Sequence, residues 1–595
     1  MFLRIKQSGP RGYLQIVENK REAGAVRQTV IATLGRVDEL AASGALASLL
    51  ASGAKHCEQV MLLSTLRAEA DSLRLRARRS GAPLLFGRLW EETGCQAVLG
   101  SLLAERMFEF PLERAVFATV LHRIMGSGSD RACERWIDDY DIPGAGTLAL
   151  HHLYRAMAWL GEELPKNQQK DATPFGPRTI KDLIEEALFA RRRDLFSELS
   201  VVFMDTTSLS FEGEGGATLG ERGFSKDHRP DLMQMILALV IDAEGQPICT
   251  DMWPGNTADV TTLIPIVDRL RSRFGIGRVC VVADRGMISA ATIEVLEERK
   301  LEYVLGVRER SDKLVRSLVL EDAKPFTPLC ITRLAGAETQ LWIKEVIAGG
   351  RRYIICRNEA EAEKDAADRR AVIAALDEQL RHGDKALIGN AADRRFVRKT
   401  DADSAAFEID VGKLADEARF DGIFVLRTNA RITPLQAVLR YRGLLQVESL
   451  FRTAKAAMHT RPIYHSSDAA IRGHVFCSFL ALVLRKDLED RCQRAGLSLA
   501  WCDVPRALDR MQRATIEQAG KQWVVRMGGD GLAAALLKVA AIAPPPRVQA
   551  RPPPKKDSEI RPCPPNAAAD RSVVPHTPEF SGFAGHTKNL AKRGV

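Results

Sequence analysis

Between Leu199 and Gly286 the chain alternates short apolar, β-branched runs with turns, and two of these runs meet an aspartate. "LSVVFMDTTSLSF" carries Asp205, and "RVCVVADRG" runs into Asp284. Between them, "LMQMILALVIDAEGQPICTDMWPG" reads as two strands joined at Glu244-Gly245, and "TADVTTLIPIVDRLRSRFG" has the spacing of an amphipathic helix. Three strands, a helix and a strand in that order predict an α/β unit. One aspartate at a strand end is commonly a turn-former or a helix cap. Two in runs too apolar to bury a carboxylate cheaply ask for a different account.

A third acid stands alone. "YRGLLQVESLFRTAKAAM", residues 441–458, contains only Glu448, with Tyr441 seven residues before it and Lys455 seven after. Thr433-Pro434 is a sound helix start. In a uniform helix, seven residues are nearly two turns, drifting about 20° per step, so the three side chains share a face. Arg452 follows one turn after Glu448, which is also the spacing of an ordinary surface ion pair worth about 0.3–0.5 kcal/mol. Taken with the two aspartates, Glu448 completes an all-oxygen set suited to a pair of Mg²⁺ ions. Such a pair activates a water or a 3′-hydroxyl in phosphoryl transfer. "GEGGATLG" lacks the lysine of a P-loop, so no nucleotide cofactor is expected. His228, His465 and His474 are too dispersed in sequence for a zinc site and read as structural or phosphate hydrogen-bond partners.

With 85 Lys+Arg against 76 Asp+Glu among 595 residues, the net charge of +9 is compatible with a polyanionic partner without requiring one. The clusters "LRLRARRS" and "FARRRDLF" could lie against phosphates or form solvated helix faces. The 11 cysteines are scattered without a C-x-x-C pair, as in reduced cytosolic proteins. The runs "MQMILALVI" and "VFCSFLALVL" are too short to span a bilayer, so a cytoplasmic, nucleoid-associated protein without a membrane partner is expected.

Longer motifs carry a resemblance. "MDTTSLSFEG", "GFSKDHRPDLMQMILALVIDAEGQPICTDMWPGNTAD", "VVADRGMIS" and "YRGLLQVESLFRTAKAAMHTRPIYHSSDAAIRGHVFCSFLALVL" occur in this order over residues 200–485. They resemble the motifs of DDE transposases of bacterial insertion sequences, and are most similar to the IS1634 type. "LQIVENKREAGAVRQTVIATLGRVDEL" resembles the N-terminus of that type. The resemblance implies an RNase H-like core in which Asp205, Asp284 and Glu448 hold two Mg²⁺ ions, with Mn²⁺ able to substitute. Asp205 would bridge both ions. Tyr441, Lys455, Arg452 and Arg285 would contact DNA. The implied partners are double-stranded DNA, as terminal inverted repeats and target, and a second copy of the chain. The implied activity is strand cleavage and strand transfer. A decayed DNA-binding relative and an RNase H-like nuclease without strand transfer are the alternatives. In the wider group an arginine usually stands three residues after the tyrosine; here it is Leu444, leaving Arg452 or Arg442 to take that phosphate contact. Some members use an aromatic residue of the insertion to stack a flipped base. Trp342 lies in the corresponding region, where a core role is the simpler reading.

The expected architecture is thus an α/β, RNase H-like catalytic core interrupted by a β-rich insertion. A small β unit (1–58) and a helical DNA-binding region (59–197) precede the core, which occupies 198–310 and 419–530 around an insertion at 311–418. A disordered Pro-rich basic tail (531–595) follows; residues 543–595 hold 11 of the chain's 27 prolines.

Overall fold

The computed structural model describes residues 2–551 apart from 23–24, 46–47, 49–73, 105, 127, 170–175, 194–200, 277–278, 309, 311, 320, 333–337, 382–395, 400–406 and 519–520. The first three strands, β1 (Phe2–Ser8), β2 (Arg11–Glu22) and β3 (Ala25–Arg36), form an antiparallel sheet. Strand β4 (Arg74–Arg79) then precedes six helices between Gly81 and Arg192.

The apolar runs that opened the sequence reading form the centre of a nine-stranded sheet. Strands β5 (Val201–Ser210), β6 (Gln234–Ile241) and β7 (Pro247–Pro254) form an antiparallel meander. After the helix Leu263–Ser272, β8 (Cys280–Ala283) pairs parallel to β5, and β9 (Glu302–Gly306) pairs parallel to β8. Both faces of β5 and β6 are covered, which explains why the sequence shows apolar runs without polar alternation.

Residues expected to form a separate insertion extend the same sheet. Strands β10 (Thr327–Thr332), β11 (Glu338–Ala348) and β12 (Arg351–Arg357) form a second antiparallel meander. After the helix Glu359–Arg381 and the short pair β13 (Val397–Lys399) and β14 (Phe407–Ile409), β15 (Ile423–Thr428) enters between β12 and β9. The order across the sheet is β10-β11-β12-β15-β9-β8-β5-β6-β7.

From β15 the chain passes into the helix Pro434–Arg442, started by a capping box between Thr433 and Gln436. The helix Leu444–Arg452 and the long helix Asp468–Arg494 follow. The long helix is buried through Ala470–Leu484 and shares one hydrophobic core with the N-terminal helices and one face of the sheet. A second core lies under the opposite face, against the helices Leu263–Ser272 and Ala290–Glu298.

Residues beyond 510 differ from the expected layout. β16 (Gln512–Gln518) and β17 (Lys521–Met527) lie outside the nine-stranded sheet and form a four-stranded sheet, β18-β17-β16-β4, with β18 (Val548–Arg551). Within the segment expected as a disordered tail, Leu532–Val539 is a helix that buries Leu536 and Leu537. Its Ala/Leu-rich sequence lies before the first proline of the Pro-rich stretch, so nothing there opposes a helix. The tail from 552 onward lies outside the described residues. Among the described residues no helix is long and apolar enough to cross a membrane.

Candidate active site

Sheet register brings the first two acids together. β5 and β8 pair in parallel through Met204 and Ala283, and the backbone stays extended through Asp284 (φ −76°, ψ 159°). Asp205 and Asp284 therefore stand level on neighbouring strands, with Cα atoms about 5 Å apart from the spacing of a sheet. Along β5, Val201 and Phe203 belong to the core beneath the C-terminal helices, and Val202 and Met204 to the opposite one. By alternation Asp205 falls on the side of Val201 and Phe203. The helix Leu444–Arg452 covers that side with Val447, Leu450 and Phe451. Gly443 permits the close approach, since a Cβ there would lie 2.4 Å from the ring of Phe203.

Electrostatics couples the three acids. Burial pushes the Asp205 carboxyl up to about 6, and the charges of Asp284 and Glu448 add to the rise. Lys226 and the backbone N–H of Thr206, which donates to Asp205 Oδ1 at 2.7 Å, oppose it. Asp284 Oδ1 accepts a 2.9 Å hydrogen bond from the Tyr441 hydroxyl. That hydroxyl is wedged against β9, where a Cβ on Gly306 would come within 2.4 Å of it.

The expectation that Tyr441, Glu448 and Lys455 line one helical face assumed a uniform helix, and the helix is not uniform. It breaks at Gly443 and widens to a π-turn over Thr453–Ala457. Tyr441 is held by Asp284, and Lys455 donates to both carboxylate oxygens of Asp227 at 3.0 Å. Glu448 and Arg452 are both exposed, and among the described residues no ion pair joins them, whereas Lys455 and Arg461 both pair with Asp227. Arg285 is exposed beside Asp284.

Three charged residues at the site escaped the sequence reading. Lys226 Nζ donates to the carbonyl and hydroxyl oxygens of Thr206, both at 2.7 Å, and pairs with Asp259 at 2.9 Å. The Thr206 hydroxyl donates to Asp259 at 2.8 Å. Lys226 and its neighbour Asp227 thus tie the loop after β5 to the catalytic strand and to the Glu448 helix. Asp205, expected at a strand end, lies in the middle of β5. Asp284 follows the end of β8 and Asp259 follows β7 within five residues, so Asp259 carried the same strand-end signal as Asp284. Nothing in sequence marked Lys226 as its partner.

Two of the histidines read as structural hydrogen-bond partners, His465 and His474, meet in a second cluster. Asp130, His465 and His474 offer ligand atoms within 4.8 Å of one another, because the long helix packs on the N-terminal helices. His465 Nε2 lies 3.0 Å from Asp130. His474 Nε2 donates to the carbonyl of Thr460 at 3.1 Å, which leaves Nδ1 to accept from Arg123 at 2.9 Å. Burial, with the adjacent Arg123 charge, lowers His474 to about 4 and keeps it neutral. Arg123 also lies 3.5 Å from Asp130, so a guanidinium already occupies the place a cation would take. The cluster is a structural joint. Trp342, half-buried on β11, lies three strands beyond β9.

Comparison with known proteins shows the family. The Transposase DDE domain profile matches residues 196–484, a span that contains all three acids. This match shows the chain to be a DDE transposase, an enzyme of cut-and-paste transposition that cleaves DNA strands and transfers them to a target. A profile for the N-terminal domain of IS1634 family transposases matches residues 3–69. The chain belongs to the IS1634 family of insertion-sequence transposases.

Among solved structures it is similar to a piggyBac transposase synaptic complex with hairpin DNA, at 12% identity over 72% of this chain and 79% of that one, with a TM-score of 0.35. The Mos1 transposase paired-end complex with left transposon end is 14% identical, covering 33% of this chain and 61% of that one (TM-score 0.13). The Mos1 mariner paired-end complex with Mn is 13% identical, over 37% and 76% (TM-score 0.13). No curated protein matches the chain.

Proposed function

We propose that Asp205, Asp284 and Glu448 are the catalytic acids and that they hold divalent cations, Mg²⁺ or Mn²⁺, for cleavage and joining of the element's ends. The observation that carries this reading is that Asp205 and Asp284 stand level on neighbouring strands under the helix of Glu448; burial raises Asp205 to about 6, and the charges of Asp284 and Glu448 add to the rise. A site with surplus negative charge and only oxygen donors suits a hard cation. Bound there, the metal supplies activation of a water or 3′-hydroxyl nucleophile and stabilisation of the leaving oxygen. Family membership supports a divalent-metal enzyme in general terms. The order β7-β6-β5-β8-β9, a meander followed by two strands parallel to the first, supports an RNase H-like core.

The chain's own residues do the positioning. Tyr441 orients the Asp284 carboxylate. Lys226, fixed by Thr206 and Asp259, keeps a positive charge beside Asp205. Lys455 and Arg461 pair with Asp227 beside Lys226, and with Arg285 and Arg452 these cations form the edge along which a DNA strand's phosphates would run. The enzyme acts on terminal inverted repeats and target DNA as a dimer that holds two ends.

The test is excision and reinsertion of the element from between a promoter and a reporter, in a host lacking it. Wild type gives both events. Glu448→Gln leaves DNA binding nearly intact and abolishes strand cleavage; cutting by that variant would exclude Glu448 from the acids. Nicking without strand transfer to a target plasmid would favour a nuclease.

A further inference from the structure

A pocket of about 370 Å³ opens beside the acids, at the ends of β8 and β9. Two residues join it to the site. Arg285 follows Asp284 directly, and Gly306, in the pocket wall, lies against the Tyr441 hydroxyl that donates to Asp284. Four lining residues are arginines, Arg285, Arg308, Arg351 and Arg427, and the one acid among the lining is Asp312. Ile293 and Leu305 contribute apolar surface.

The guanidiniums of Arg351 and Arg427 are held in place. Arg351 makes a two-pronged pair with Glu297, at 3.0 and 2.9 Å. Arg427 is 9% exposed, donates one nitrogen to Asp312 at 3.0 Å and lies over the ring of Tyr353, 5.0 Å from its centre. The helix Ala290–Glu298 begins at the pocket, adding the partial positive charge of its first turn. Four guanidiniums against one carboxylate, beside a helix start, make a place for an anion. The apolar surface suits the sugar attached to it.

We propose that this pocket binds a backbone phosphodiester of the DNA strand being cut, a neighbour of the scissile one. The proposal rests on the reading of Asp205, Asp284 and Glu448 as the catalytic acids. The phosphodiester belongs either to the element or to the flanking donor DNA.

Binding of full-length protein is measured against salt with two duplexes. One is the element's terminal sequence ending flush at its boundary; the other continues through one helical turn of flanking DNA. Each phosphate contact contributes about 0.9 to the slope of log K against log salt. Arg308→Ala, at an exposed side chain, and Arg351→Ala should each flatten the slope by about 1, and Arg308→Lys should restore it. Flattening on both duplexes assigns the phosphate to the element, and flattening only on the extended one assigns it to the flank. Slopes equal to wild type for both variants on both duplexes overturn the proposal. If Arg351→Ala does not fold, Arg308→Ala decides. Failure of the acid assignment reads out separately, as strand cleavage that survives in Asp205→Asn.

Discussion

Replacing Tyr441 by phenylalanine removes one oxygen and leaves the ring in its place between Asp284 and Gly306. The lost contact is a 2.9 Å hydrogen bond from a phenol to a carboxylate. Hydrogen bonds to charged groups contribute about 1.5–3 kcal/mol. If Asp284 holds a cation, Tyr441 fixes the ligand's orientation, and removing such a partner typically weakens metal binding about 10–100-fold. That factor equals about 1.4–2.7 kcal/mol, the same range as the hydrogen bond. The assay is cleavage of an element-end duplex across a Mg²⁺ series, with DNA affinity measured separately in the absence of metal. Half-saturating Mg²⁺ should rise about 10–100-fold, with most of the maximal rate recovered at high Mg²⁺ and DNA affinity unchanged. Gly306→Ala should give the same phenotype, because its Cβ would displace the hydroxyl. An unchanged Mg²⁺ response with weakened DNA binding would refute this reasoning and return the hydroxyl to a phosphate, the role suggested by the sequence.

Asp205 titrates near 6 in the folded protein, above its ordinary value of 3.8, so between about pH 4 and 6 the native state holds a proton that the unfolded chain has lost. Metal-free stability should therefore fall as pH rises through that window, by up to roughly 3 kcal/mol. Thermal melts of Asp205→Asn should lose this component and the stabilisation by Mg²⁺ at alkaline pH. Glu448→Gln changes an exposed side chain without an ion pair, so its melting behaviour should stay within about 0.5 kcal/mol of wild type while cleavage disappears. Asp130→Ala strips the ion pair from buried Arg123 and should cost about 3–5 kcal/mol in urea unfolding. Neither zinc nor a chelator should shift the wild-type midpoint; stabilisation by zinc would show that Arg123 yields its place. A double-mutant cycle of Asp227→Ala with Lys455→Ala should show a coupling of about 0.5–3 kcal/mol in stability, and additivity would break the proposed link between the loop and the Glu448 helix.

Much of the core was legible because its signals are local. Val201–Ser210 and Cys280–Ala283 are strands covered on both faces, and such strands announce themselves as apolar runs. The helix start at Thr433-Pro434 depends on neighbours three residues away, and it lies where the sequence put it. What failed was extrapolation along a helix. The shared face of Tyr441, Glu448 and Lys455 holds only for one constant pitch, and Gly443 and the π-turn change that pitch to fit the sheet beneath. Lys226 and Asp259 were hidden for another reason. Their meeting depends on two loops at the same end of the sheet, 33 residues apart (259 − 226), which no periodicity records. His465 and His474 meet Asp130 only through the packing of the long helix on distant helices.

The pairing of β4 with β16 also sets a timetable. Arg76 sits opposite Thr515, 439 residues later in the chain (515 − 76). At roughly 5–20 residues per second, a ribosome needs on the order of 20–90 s to make that partner. For 372 of those 439 residues (448 − 76) the growing polypeptide lacks Glu448, and the strand that will fasten its N-terminal region to β16 is still unwritten. On the reading of Glu448 as one of the acids, competence to cleave DNA waits for Glu448 and β16, and products terminated before them lack it.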